Sequence, residues 1–168
     1  MAKTKVYLDT SIINFLIAED SPEYRKYTEM FFLSAVVNNV VEAYISTPVI
    51  EEINNTRNDV RRKCLLNVID RYSNIKRLNA QGHMGERMNV LSNAYINNGL
   101  MPSKSIADSM HAAYASIFKM DILLSWNFKH LANINKEKKI LEINKTMGYL
   151  HPFRMLSPKE ALNVKKRT

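Results

Sequence analysis

A chain of 168 residues with 46% hydrophobic and 24% charged side chains has the size and balance of one folded domain able to bury a core. Cys64 is the sole cysteine, which excludes an intramolecular disulfide and a thiolate zinc cage. No run reaches the roughly 18–20 apolar residues of a membrane span, and the start of the chain reads as a strand rather than a secretory signal, so a cytoplasmic protein is expected. Lys and Arg number 24 against 16 acidic residues, a net charge of +8. That excess favours a polyanionic partner, because each phosphate neutralised releases a counterion. A basic surface kept for solubility or for an acidic protein is the plainer alternative.

In chain order, Lys5 to Leu8 reads as a short strand broken by the capping cluster Asp9-Thr10-Ser11. Ile12 to Ala18 comes next as a short helix. Ser21-Pro22 opens a longer helix to about Val37, with Tyr24, Tyr27, Phe31 and Ala35 on its apolar face. Ala43 to Ser46 is the second strand, then Thr47-Pro48 leads a helix through Ile53. Asp59 to Tyr72 reads as helix and Ile75 to Leu78 as strand. Glu86 to Asn97 forms a helix ended by Asn98-Gly99, and Ser103-Lys104-Ser105 starts another to about Lys119, with Ile106, Met110, Ala113 and Ile117 on one face. Asp121 to Ser125 is the clearest buried strand. Phe128 to Ala132 and Lys136 to Met147 read as helical, Phe153 to Leu156 as a final strand, and Ser157-Pro158 begins a last short helix. Residues 1–164 form a single domain and 165–168 a frayed basic tail.

Strands separated by helices imply a parallel sheet covered on both faces, an α/β fold. In such sheets the functional crevice lies beyond the carboxyl ends of the strands. Asp9 comes directly after the first strand, although alone it reads equally well as a turn residue. Asp108 lies in the first turn of its helix, where the dipole stabilises a carboxylate whatever its role. Glu51 and Glu52 open the helix after strand two. Glu52 flanks the apolar face and is the chosen candidate, while Glu51 points further into solvent. Asp121 begins its strand, and four residues of rise leave it roughly 13 Å from the other end, on the wrong edge. Asn127, just past that strand, is better placed, or else simply caps the helix expected from Phe128 onward. Together Asp9, Glu52, Asp108 and Asn127 fall beyond one sheet edge. Clustered carboxylates repel unless a divalent cation neutralises them, and oxygen donors without a Cys or His cluster favour Mg²⁺ or Mn²⁺. Such ions activate water against a phosphodiester.

Arg57, Arg61, Arg62 and Lys63 lie shortly after Glu52 and either guide a phosphate backbone or form a solvated helix face. Trp126 is either a stacking platform for a base or a wall of the core. His111, three residues after Asp108, reads as a packed histidine with satisfied nitrogens rather than a ligand. Four glycines, none in a nucleotide-loop pattern, exclude a Gly-rich phosphate cradle.

These residues resemble the PIN-domain family, including the VapC-type toxins of toxin–antitoxin pairs. Val6-Tyr-Leu-Asp9-Thr-Ser is similar to the family's opening strand and first aspartate. Ile45-Ser-Thr-Pro-Val-Ile-Glu-Glu52-Ile is similar to its second strand and acidic helix. Asp108-Ser-Met-His111-Ala-Ala matches D-x-x-H-x-A, and Asp121-Ile-Leu-Leu-Ser-Trp-Asn127 resembles the strand that ends in threonine–x–aspartate. Leu156-Ser-Pro-Lys-Glu resembles the usual exit. The resemblance implies a three-layer α/β/α sandwich around a parallel sheet of about five strands. It also implies Mg²⁺ or Mn²⁺ binding, cleavage of single-stranded or structured RNA, an antitoxin partner and a homodimer. It makes Asp9 and Asp108 metal ligands, Glu52 a ligand or water-orienting base, and Asn127 the fourth position, where the commoner residue is aspartate. The alternatives are a PIN-like module that grips RNA or protein through a weakened site and, more distantly, a structure-specific DNA nuclease.

Overall fold

The computed structural model describes residues 2–164; the basic tail expected at 165–168 lies outside them. Five strands, β1 (Lys5–Leu8), β2 (Glu42–Ser46), β3 (Lys76–Leu78), β4 (Ile122–Leu124) and β5 (Arg154–Leu156), form one sheet in the order β3-β2-β1-β4-β5. All pairings are parallel, with Tyr7 opposite Tyr44 on one side and Leu123 on the other. Such short strands hold because alternate side chains enter two different cores. Val6, Leu8, Ala43, Ile45 and Leu124 face one core; Tyr7, Leu123 and Met155 face the other.

Helices α1 (Thr10–Phe15), α2 (Pro22–Phe31), α3 (Thr47–Asn54), α4 (Asp59–Arg71) and α8 (Pro158–Val164) contribute to the first core. Helices α5 (His83–Asn97), α6 (Ile106–Ile117) and α7 (Ile134–Thr146) close the second. The result is the expected α/β/α sandwich with a five-stranded parallel sheet. No helix among the described residues is long and apolar enough to cross a membrane.

Three local expectations are corrected. The helix expected to reach Val37 changes to a π-helix over Phe32–Val37, which turns Phe31, Phe32, Ala35 and Val36 inward together; apolar spacing does not separate the two helix types. Phe128 to Ala132 is not a helix. The backbone N–H groups of Leu131 and Ala132 both donate to the Asn127 carbonyl at 2.9 Å, closing a turn instead. The face assigned to α6 fails at one end and is too narrow: Ile106 is exposed, Met110, Ala113 and Ile117 pack against the second core as expected, and Ser109, His111, Ala112, Tyr114, Ala115 and Ser116 are buried as well. Small side chains let this helix lodge against α5, where Ser92 and Ser109 hydroxyls meet at 2.6 Å, so burial extends around most of its circumference.

Candidate active site

The chain runs from β1 outward through β2 to β3, then returns to the far side of β1 as β4. The sheet order therefore reverses at β1 and β4, and the crevice of an open parallel sheet lies at such a reversal, beyond the carboxyl ends. Asp9 comes after β1 there, and Ser125, Trp126 and Asn127 come after β4. Asp121 is at the opposite edge, accepting from the Lys5 backbone N–H at 2.8 Å and contacting His151 at 3.2 Å.

Asp9 caps α1 and is 3% exposed. Its Oδ1 accepts from the Ser11 hydroxyl at 2.5 Å and the Ile12 N–H at 3.3 Å; its Oδ2 accepts from the Ser125 hydroxyl. Those hydroxyls in turn accept backbone N–H groups past β4, Ser11 from Trp126 and Ser125 from Asn127, each at 2.9 Å. One carboxylate thus ties the ends of two neighbouring strands together. Burial pushes its pKa above the ordinary carboxylate range, despite the opposing His111 charge and the hydroxyl hydrogen bonds.

Asp108, in the first turn of α6, accepts at 3.1 Å from the side-chain amide N–H of Asn127. Its pKa is also raised, because burial outweighs the charges of His111 and His130. The Nδ1 of His130 is buried without a partner. Asn127 turns its carbonyl oxygen back to the His130 N–H at 3.1 Å, so it presents an amide N–H, not an oxygen, to Asp108.

Glu52 accepts from the Thr10 hydroxyl and from His111 Nε2 at 2.8 Å. Burial works to raise its pKa, but the His111 hydrogen bond and charge prevail and lower it. His111 is buried, with Nδ1 at 2.7 Å from the Tyr7 hydroxyl, which meets the Ser46 hydroxyl at 2.5 Å. Desolvation works against its charge, yet Glu52, Asp9 and Asp108 together raise its pKa. His111 has the satisfied nitrogens expected of a packed histidine, but its partner is the site glutamate, so it belongs to the site from which the sequence separates it. The three-residue spacing from Asp108, which places both on one side of a helix, is the signal the sequence offers.

Asp9, Glu52, Asp108 and Asn127 are therefore joined at one edge by Ser125, Thr10 and His111. They do not form a ready cage: among the described residues no group of three or more His, Cys, Asp or Glu side chains is close enough to hold a metal ion. Glu52 is turned to His111 and Thr10 instead. The remaining pair suits Mg²⁺ or Mn²⁺, which commonly bind through one or two carboxylates, retained waters and substrate phosphates. Asp9 and Asp108 are hard oxygen donors whose ionised forms are disfavoured by burial, so the residues present fit such an ion. Glu51 is exposed.

The four residues expected to touch RNA divide sharply. Trp126 is 6% exposed, stacks on Tyr24 at 4.3 Å and donates its indole N–H to Thr28 at 2.8 Å; it is a core wall, with no face open to a base. Arg62 is committed to the Thr56 carbonyl and Asp59, which braces the start of α4. Arg57 and Arg61 are exposed, and Arg61 reaches Asn14 at 3.4 Å.

No protein-family model matches the chain, and no curated protein sequence matches it. Solved structures do. DNA-bound VapBC from Salmonella typhimurium aligns at 17% identity and a TM-score of 0.56, over 94% of this chain and 99% of that one. VapBC2 from Rickettsia felis, bound to a promoter DNA fragment, aligns at 17% and 0.53 over 82% and 93%. VapC20 from Mycobacterium tuberculosis, a sarcin–ricin-loop-cleaving toxin, aligns at 9% and 0.52 over 74% and 92%. At these identities the likeness is one of architecture, and in architecture the chain shares the fold of these VapC structures.

Proposed function

We propose that this protein is an endoribonuclease dependent on Mg²⁺ or Mn²⁺ and the toxin of a toxin–antitoxin pair. The observation that carries the reading is the pair Asp9 and Asp108, two half- to fully buried carboxylates held above their ordinary pKa at the reversal point of the sheet. Such a pair is stabilised by a cation and, through it, by a phosphodiester. The fold shared with VapC toxins supports the same reading. The antitoxin is the expected protein partner, RNA the substrate, and a homodimer the expected assembly.

Asp9 and Asp108 would hold the ion, which when bound supplies Lewis-acid stabilisation of the charge that grows on the phosphate. Ser11 and Ser125 fix the two oxygens of Asp9, so its orientation costs no reorganisation during reaction. Glu52, kept ionised by His111 and Thr10, is the carboxylate available to take a proton from an incoming water. Asn127 anchors Asp108 by its amide N–H. Exposed Arg57 and Arg61 supply cationic surface for the backbone. Expression in a bacterial host tests this: wild type is expected to arrest growth and fragment cellular RNA, and Asp108→Ala to do neither. Undisturbed growth with intact RNA under wild-type expression would count against it.

A second reading, a PIN-like binding module with an inactive site, is favoured by one contact, the Asn127 amide N–H occupying Asp108. The variant Asn127→Asp replaces that donor with a second carboxylate about 3 Å away. It is expected to destabilise the ion-free protein by about 1–4 kcal/mol and to gain more thermal stability from added Mn²⁺ than wild type does. Equal Mn²⁺-induced shifts in melting temperature would show that position 127 is uncoupled from the ion.

A further inference from the structure

Among the described residues, Phe128 is the one exposed side chain of the Phe, Tyr and Trp set, at 44%. It comes directly after Asn127, the residue whose amide N–H meets Asp108 at 3.1 Å. Its mount is rigid. Its ring lies 6.0 Å from Trp126 at 73° and 6.4 Å from Tyr24 at 59°, and those two rings are stacked on each other behind it. Its backbone N–H donates to the Trp126 carbonyl at 3.1 Å, and its carbonyl accepts from Asn133 at 3.2 Å. The turn that holds it is the one closed on the Asn127 carbonyl, which also sets the side chain that holds Asp108. The next residue, Lys129, is exposed.

Isolated apolar side chains on a surface are common and carry no message by themselves. Here an aromatic ring stands edge-on or tilted against a buried aromatic layer, next to a cation and to the residue that fixes a site carboxylate. A flat π-face beside a phosphate-binding crevice matches an unpaired base, since every base offers a π-face. A base inside a duplex does not, because its neighbours occupy both faces. Trp126, the platform expected from sequence, is the support for this one.

Resting on the ribonuclease reading, we propose that Phe128 is the base-stacking residue of the site and selects RNA with an unpaired nucleotide next to the scissile phosphate. Loss of the ring removes the stacking energy of one base, about five- to 150-fold in affinity, and leaves electrostatic binding of duplex unchanged. The test is equilibrium binding of a fluorescently labelled single-stranded RNA and of its matched duplex, in Ca²⁺ in place of Mg²⁺ or Mn²⁺ and with gel electrophoresis showing that nothing is cut. Wild type, Phe128→Ala, Phe128→Leu and Phe128→Trp are compared, with emission of the single tryptophan confirming in the first three that the aromatic layer is intact. Phe128→Ala and Phe128→Leu are expected to weaken single-strand binding within that range, and Phe128→Trp to retain it; all four bind duplex alike. Single-strand binding by Phe128→Ala within twofold of wild type overturns the proposal, as does equal weakening on both RNAs. If the wild type neither binds nor cuts RNA, this proposal and the ribonuclease reading fall together; if it cuts RNA and Phe128→Ala cuts and binds it equally well, this proposal falls alone.

Discussion

Asp9→Ala is expected to lower the single-turnover rate of RNA cleavage by about 10²–10⁴-fold, the equivalent of the several kcal/mol that ion stabilisation of a phosphoryl transition state is worth. The size comes from the position of Asp9. It is buried at the end of β1, and both oxygens are already oriented by Ser11, Ser125 and the Ile12 N–H. A truncated side chain leaves the two hydroxyls without their acceptor and removes one of the two carboxylates available to an ion. The loss is expected in kcat, with RNA affinity little changed, because RNA affinity comes mainly from cationic side chains that neutralise phosphates. Cleavage reduced less than about tenfold would show that Asp9 is a cap of α1 and nothing more.

His111→Leu is expected to cost about 3–5 kcal/mol of folding stability, the range for removing one partner of a buried charged pair. It removes the partner of Glu52 and of the Tyr7 hydroxyl, and it deletes the positive charge that faces Asp9, Glu52 and Asp108. Chemical denaturation as a function of pH separates this from simple loss of packing. Glu52 has a lowered folded pKa, so its contribution is present above its ordinary value of 4.5 and is lost as pH falls through the lowered value. His111 has a raised folded pKa, so its contribution is complete below its ordinary value of 6.5 and fades as pH rises through the raised one. The pair is therefore expected to be worth most between about pH 4.5 and 6.5. Asp9 and Asp108 act oppositely: with raised pKa values they cost stability as they ionise, above the ordinary aspartate value of 3.8. A deficit in His111→Leu that is flat across this range would assign the residue to packing alone.

The fold was legible because its determinants are local. The β-rich run Lys5–Leu8 and the apolar run before Ser125 mark strands, and the helices between them force a parallel sheet covered on both faces. The placement of Asp9 and Asn127 after strands, and of Asp121 before one, came from direction alone. The features that were not legible depend on contacts distant in sequence. The partnership of His111 with Glu52 spans 59 residues and that of Ser125 with Asp9 spans 116. Trp126 is open to both readings in sequence, and only its enclosure by Tyr24 and Thr28 decides between them. The turn at Phe128–Ala132 has helical composition, but two backbone donors converging on the Asn127 carbonyl decide it. Convergence of Asp9, Glu52 and Asp108 was expected to be complete; the pull of His111 on Glu52 makes it partial.

The most direct measurement is cleavage of mixed RNA by purified protein with Mg²⁺ or Mn²⁺, with the same reaction in chelator and with Asp9→Ala and Asp108→Ala alongside. The expected result is fragmentation by wild type only when the divalent ion is present, and its loss in both variants. Cleavage that persists in chelator, or equally in either variant, would contradict the assignment of this crevice as the catalytic centre.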